Sequence, residues 1–266
     1  MELERLSIEL SNRCAKACAF CYSKSGPAGE TRWTVDDVER FVADGAGHGV
    51  RAVSFGGGEP LEVEWLPEIL MRLKGVLFRS VTTNGLLLYE GGLERLVAAT
   101  PDKVHVSIHD PARGSEVERV IRQVTALSER GIRSGVNLLV SRTNVEAATG
   151  AGAALREAGI GNDRIVYLPM RIRDTPTVED LVRVAGSAAF QSMSCLLRCG
   201  ASPRFCSVAW DRTAAWCSYT SARRPLHDAT YAGLTRALSG LPVDFCGGTD
   251  PSFPEAPRAV AATPAS

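Results

Sequence analysis

The sequence predicts an α/β fold: a partial (β/α)6 TIM-like barrel followed by a small cysteine-rich extension made of a β-hairpin and a helix. Three observations lead there. Runs of β type alternate with helical stretches, and the runs start about 30 residues apart, the length of one βα unit. The alternation breaks near Arg173 after six units, whereas a closed barrel needs eight units and about 250 residues. From Ser194 the pattern changes to two β-type runs around Asp211-Arg212, one short helical run and an end rich in Pro and Ala.

Taken in order, Leu6–Ser11 alternates Leu6, Ile8 and Leu10 with Ser7, Glu9 and Ser11, the period of a strand with one apolar face. Thr34, with Asp36 and Asp37 behind it, caps a helix expected to reach Ala43. Ala52–Phe55 and Leu66–Leu73 form the next strand and helix, then Ser80–Asn84 and Leu93–Ala99. Lys103–His109 sets Val104, Val106 and Ile108 against His105, Ser107 and His109, and the helix Val117–Arg130 follows. Ser134–Ser141 sets Val136, Leu138 and Val140 against Asn137 and Ser141, before the helix Val145–Ala158 and the sixth strand, Arg164–Pro169. Such alternation implies a parallel sheet. The apolar sides belong against the helices, which leaves the polar sides facing the lumen. A closed barrel fills its lumen with branched apolar side chains, so a polar one suggests a pocket for a polar ligand. Beyond it, Arg204–Trp210 and Thr213–Tyr219 flank Asp211-Arg212 as a hairpin, and Asp228–Ser239 reads as a helix. The expected division is a barrel over residues 1–185, an extension over 186–250 and a loose tail over 251–266.

The 266 residues carry 30 basic and 30 acidic side chains, which argues against a general nucleic-acid or anionic-membrane binder. Lysine occurs only at Lys16, Lys24, Lys74 and Lys103, a scarcity that reads as genome composition. No run of about 20 apolar residues is available to span a membrane. The first residues lack the basic start and apolar stretch of a signal peptide, so the expected location is cytoplasmic, with reduced cysteines. The eight cysteines fall into an N-terminal group (Cys14, Cys18, Cys21) and a C-terminal group (Cys195, Cys199, Cys206, Cys217, Cys246). Two such groups point to two metal sites more than to a disulfide framework.

The strongest motif is Cys14-Ala-Lys-Ala-Cys18-Ala-Phe-Cys21, directly after the first strand. Three soft thiolates with no nearby histidine fit an iron–sulfur cluster with one open iron, or a zinc site completed by a distant cysteine. One βα unit later, Gly56-Gly57-Gly58-Glu59-Pro60 ends the second strand, where barrel enzymes place their sites and where glycine lets backbone approach a ligand. Thr83-Asn84-Gly85 closes the third strand.

Together, Cys14, Cys18 and Cys21 with Phe20, then Gly57-Gly58-Glu59-Pro60, then Thr83-Asn84-Gly85, resemble the radical SAM superfamily. The resemblance covers about residues 5–170. It implies a [4Fe–4S] cluster on the three cysteines and S-adenosylmethionine on its open iron. It also implies that the Gly57–Glu59 backbone holds the methionyl amine. Phe20, Ser107, Asn137 and Leu168 are the candidates for the carboxylate, ribose or adenine. His109, at the lumen end of its strand, is the candidate to move a proton. Tyr167 and Arg171 are weaker substrate-facing candidates, and Arg223-Arg224 reads as a solvated loop. The C-terminal cysteines resemble a SPASM or Twitch extension. That implies a second, auxiliary [4Fe–4S] cluster on Cys199, Cys217 and Cys246, with Cys195 or Cys206 as a fourth ligand. Arg212 stands where that pattern usually has a turn glycine, and one later cysteine of the pattern is missing. Zinc, or cysteines buried as small apolar residues, are the alternatives.

The expected function is radical chemistry on a natural-product precursor, foremost a ribosomal peptide. The expected partners are a flavodoxin- or ferredoxin-type reductant and, for a peptide, a separate leader-binding protein; that no peptide-recognition domain is expected before Leu3 favours a small substrate instead. The competing expectations are a dehydrogenase of small aminocyclitol or sugar-like molecules, and a zinc-stabilised interaction protein.

Overall fold

The computed structural model describes residues 2–171, 174–192 and 204–243. Six strands run in parallel and in chain order: β1 (Arg5–Ser11), β2 (Ala52–Gly57), β3 (Phe78–Thr83), β4 (Lys103–Ile108), β5 (Arg133–Val140) and β6 (Ile165–Pro169). Helices α1 (Val35–Gly47), α2 (Leu66–Arg72), α3 (Glu90–Ala98), α4 (Gly114–Glu129) and α5 (Val145–Glu157) connect them. This is the expected open (β/α)6 barrel. Thr34 caps α1 as expected, its hydroxyl accepting from Asp37 N–H at 3.2 Å.

The core lies between the sheet and its helices. Leu6, Ile8 and Leu10 of β1, Val104, Val106 and Ile108 of β4, and Val136, Leu138 and Val140 of β5 are all buried there with Phe41, Ile69, Val124 and Leu155 from the helices. The period-two register puts the remaining side chains in the lumen. Ser7, Ser54 and Ser80 sit side by side across β1, β2 and β3. Ser107 of β4 pairs with Asn137 of β5.

Past the point where the sequence pattern fades, α6 (Val178–Val184), capped by Thr177, completes the sixth unit, and the two-residue β7 (Gln191–Ser192) pairs with β6. Among the described residues, no helix is long and apolar enough to cross a membrane.

The segment after the barrel joins its sheet. Strand β8 (Phe205–Val208) pairs in parallel with β1, so the hairpin partner β9 (Thr213–Ala215) and then β10 (Arg224–Pro225) lengthen the barrel sheet at its β1 edge. Helix α7 (Tyr231–Leu238) packs against α1, with Tyr231 N–H donating to Asp44 and its ring stacked 4.6 Å from His48. At the expected turn position, Arg212 takes the left-handed conformation, φ +64°, that usually calls for glycine. Its guanidinium donates to Arg32 O, pairs with Asp37 and lies 4.9 Å from the Trp33 ring centre. Those contacts offset the backbone strain. The expected tail, 251–266, lies outside the described residues.

Candidate functional site

The segment after β1 folds back on itself as a loop. Asn12 N–H donates to Glu30 O, Cys14 N–H to Gly26 O and Gly26 N–H to Asn12 O, while Cys21 N–H closes a turn onto Cys18 O. The Glu62 carboxylate accepts from Ala15 N–H at 2.8 Å and fixes the loop crest. Cys14, Cys18 and Cys21 thereby reach one pocket of about 400 Å³, together with Phe20, Gly56, Gly57, Gly58, Ser107, His109, Asn137 and Leu168. Burial pushes the Cys18 thiol up, Lys16 pulls it down, and Cys14 and Cys21 push it further up. Asn84 Nδ2 lies 3.6 Å from Cys14 Sγ and donates to it.

The glycine turn is strapped to this loop. Gly58 N–H donates to Ser11 O at 2.6 Å and Glu59 N–H to Arg13 O at 2.7 Å. Both amides are taken up by the strap, and carbonyls of the turn are the groups that can accept from a ligand ammonium. Glu59 itself departs from its expected role: it does not line the pocket. Its buried carboxylate accepts from Thr83 Oγ1 (2.6 Å), Asn84 N–H (2.7 Å) and Leu61 N–H (3.0 Å), tying β2 to β3. Burial pushes it up to about 7 against those three bonds.

His109 lines the pocket beside Phe20, ring centres 5.8 Å apart. Its Nδ1 lies 3.0 Å from Lys16 Nζ, and burial, then the Lys16 charge, bring it down to about 4. Its Nδ1 is therefore already engaged, which fits a hydrogen-bonded role for His109, the alternative to moving a proton that the sequence also leaves open. Lys16 and Glu116, joined at 2.8 Å, were not singled out in the sequence, although Lys16 is one of only four lysines and falls inside the cysteine motif.

Three more expectations change. Cys206 registers with Leu6 on the outer face of the sheet, is fully buried in the apolar core, and has its thiol pushed by burial to about 12. It packs as a small apolar residue and leaves the ligand set. Tyr167 registers with Leu138, also on the helix side, and its hydroxyl bonds Arg156 and Asn162 rather than any substrate. Arg223 is not a solvated loop residue, since it donates to Ser218 O and holds a buried Nη1 near Glu9. His105 lies in the lumen with Nδ1 2.8 Å from Asn137 Oδ1, so Asn137 is oriented from below. Arg171 does line the pocket. Cys217 is partly exposed, in a segment whose Tyr219 ring lies 4.8 Å from Tyr22, next to Cys21. Cys195, Cys199 and Cys246 lie outside the described residues.

Among the described residues, no three His, Cys, Asp or Glu side chains converge closely enough for one ion. Three thiols lining one pocket suit a cluster, whose cysteines sit on separate irons. Fold and site thus define an open-barrel enzyme class with a three-thiolate cluster site under a glycine turn.

The Radical SAM superfamily matches residues 8–182, and the chain belongs to it. Membership implies a [4Fe–4S] cluster and S-adenosylmethionine, and Cys14, Cys18 and Cys21 fit the cluster. A probable GTP 3',8-cyclase of Sulfolobus acidocaldarius is 33% identical over 156 residues, covering 54% of this chain and 50% of that protein. A PqqA peptide cyclase of Granulibacter bethesdensis is 28% identical over 156 residues, covering 53% and 41%. The chain thus spans about half the length of such curated relatives or less. Among solved structures, Streptococcus suis SuiB bound to precursor peptide SuiA shares the fold with a TM-score of 0.67 at 16% identity, over 81% of this chain and 60% of that one. So does anSMEcpe with bound AdoMet and Cp18Cys peptide, TM-score 0.62 at 14% identity, over 87% and 80%.

Proposed function

We propose that this chain modifies a ribosomally made peptide precursor by radical chemistry. When bound, the cluster and S-adenosylmethionine supply a 5′-deoxyadenosyl radical that takes a hydrogen atom from substrate. The chain's own part is to hold and shield them. Cys14, Cys18 and Cys21 carry the iron, the carbonyls of Gly56–Gly58 accept from the methionyl ammonium, and Phe20, Ser107, Asn137 and Leu168 wall the remainder. The observation that carries the reading is the convergence of the three thiols, the glycine turn and the polar lumen in one pocket. The choice of a peptide is supported by SuiB and anSMEcpe, solved with peptides on the same fold, and by the PqqA peptide cyclase. A second reading, a small polar molecule, is favoured by the serine row of the lumen and by the relatives named for GTP.

In the proposal, Cys217 joins Cys195, Cys199 and Cys246 in an auxiliary cluster; its support is the packing of the Cys217–Tyr219 segment on Tyr22. A flavodoxin- or ferredoxin-type reductant and a leader-binding protein complete the system. The test is anaerobic turnover with dithionite, S-adenosylmethionine and short peptides encoded beside the gene. Peptide-dependent 5′-deoxyadenosine and a mass change in the peptide support the reading. The same stimulation by a nucleotide or cyclitol, and by no peptide, favours the second. Two clusters predict about eight irons per chain, falling to about four when Cys199, Cys217 and Cys246 are replaced by Ala.

A further inference from the structure

Lys16 stands between Cys14 and Cys18 and reaches across the top of the barrel. Its Nζ donates to Glu116 Oε1 at 2.8 Å and to His109 Nδ1 at 3.0 Å. The same Glu116 oxygen accepts from His109 N–H at 2.8 Å. The three side chains link the cysteine loop, the residue after β4 and the first turn of α4. Lys16 and Glu116 are both largely buried, 17% and 5% exposed, so the tie is shielded from salt and water. Burial pushes the Glu116 carboxyl up, but the bonds from Lys16 and His109 outweigh it and keep it below its ordinary value.

The tie dictates a tautomer. An ammonium only donates, so Nδ1 of His109 must accept, and the hydrogen of the neutral ring sits on Nε2. Nε2 has no hydrogen-bond partner among the described residues, on a ring that lines the pocket. His105, in β4, shows the reverse. Its Nδ1 faces Asn137 Oδ1, which only accepts, so its hydrogen sits on Nδ1 and its buried Nε2 is bare. The two histidines thus stand in opposite tautomers.

We infer that Lys16 and Glu116 are positioning residues that fix His109 as the Nε2–H tautomer, and that this N–H donates to an acceptor oxygen of bound S-adenosylmethionine instead of accepting a proton. The inference rests on the pocket being the cofactor site.

With four histidines in the chain, ¹⁵N-histidine labelling of the cofactor-free protein gives a tractable spectrum, in which His109→Gln identifies one signal. The expected result is a single Nε2–H pattern for His109, lost to tautomer averaging in Lys16→Met. An averaged or Nδ1–H ring in the wild type, or an unchanged ring in Lys16→Met, overturns the lock. A second measurement uses cluster-loaded protein with its iron content checked. His109→Leu should raise the Kd for S-adenosylmethionine about tenfold, and His109→Gln, which keeps an N–H donor, should restore it to within about twofold. Unchanged affinity in His109→Leu overturns the donor role while leaving the cofactor pocket standing. Wild-type protein that carries its cluster but binds no S-adenosylmethionine overturns both.

Discussion

Gly58→Ala should break the cysteine loop rather than the cofactor contact. A Cβ at Gly58 would lie 1.9 Å from Arg13 O and 2.6 Å from Arg13 C, where real contacts stay above 3.0 Å. The Arg13 carbonyl must therefore retreat by about 1 Å, which breaks its bond to Glu59 N–H and strains that of Gly58 N–H to Ser11 O. Two backbone bonds at about 1 kcal/mol each, with about 1–3 kcal/mol of overpacking, give a loss of about 3–5 kcal/mol. For a chain of this size that lowers Tm by roughly 10 °C. Because Arg13 precedes Cys14, reconstituted iron should fall as well. Gly57→Ala behaves alike: its Cβ would meet Ser11 O at 2.5 Å, from a backbone at φ +105°. The sequence alone suggests a selective loss of cofactor affinity there, and the structure moves that effect to Gly56. A Cβ on Gly56 meets nothing within 4 Å and enters the pocket, so Gly56→Ala should keep Tm and iron but lose affinity for S-adenosylmethionine. The assay is anaerobic thermal unfolding with iron determination and cofactor titration on the three variants. Wild-type Tm and iron in Gly58→Ala would refute the strap.

Three further outcomes follow from the site. Asn84→Leu removes the N–H donor to Cys14 Sγ and should lower the reduction potential of the cluster, because hydrogen bonds to cluster sulfurs stabilise the reduced form; an unchanged midpoint in a redox titration followed by electron paramagnetic resonance would contradict it. Cys206→Ala should leave reconstituted iron unchanged and cost about 1–2 kcal/mol in urea unfolding, the signature of a packing residue, whereas lost iron would return Cys206 to the ligand set. Glu9, buried in the lumen, is raised by burial to about 7 against the pull of Arg223, so its protonated form favours the fold. That stability is fully present below about pH 4.5 and is lost as pH rises through 7, so Glu9→Gln should flatten the decline by about 3 kcal/mol. Unfolding curves with the same pH dependence in both proteins would exclude Glu9 as its source.

The sequence by itself determined the barrel, the cysteine loop and the family. Those features are local: a strand declares itself by alternation, as in Val104, Val106 and Ile108 against His105, Ser107 and His109, and the three thiolates lie within eight residues. What lies far apart in the chain was decided by tertiary structure. Lys16 and Glu116 meet across 100 residues, and no periodicity marks either as the other's partner. Cys206 looks like a ligand by its company in the sequence, but β8 pairs with β1 in a register that turns its thiol into the core. Tyr167 lies beside the pocket-lining Leu168 in sequence, and the pleat sends it to the opposite face. The glycine turn was legible as a motif, whereas the division of labour within it was not. Which added Cβ strikes the Arg13 carbonyl and which enters the pocket depends on how closely the loop after β1 lies over the end of β2. That distance is set by two hydrogen bonds between segments more than 40 residues apart.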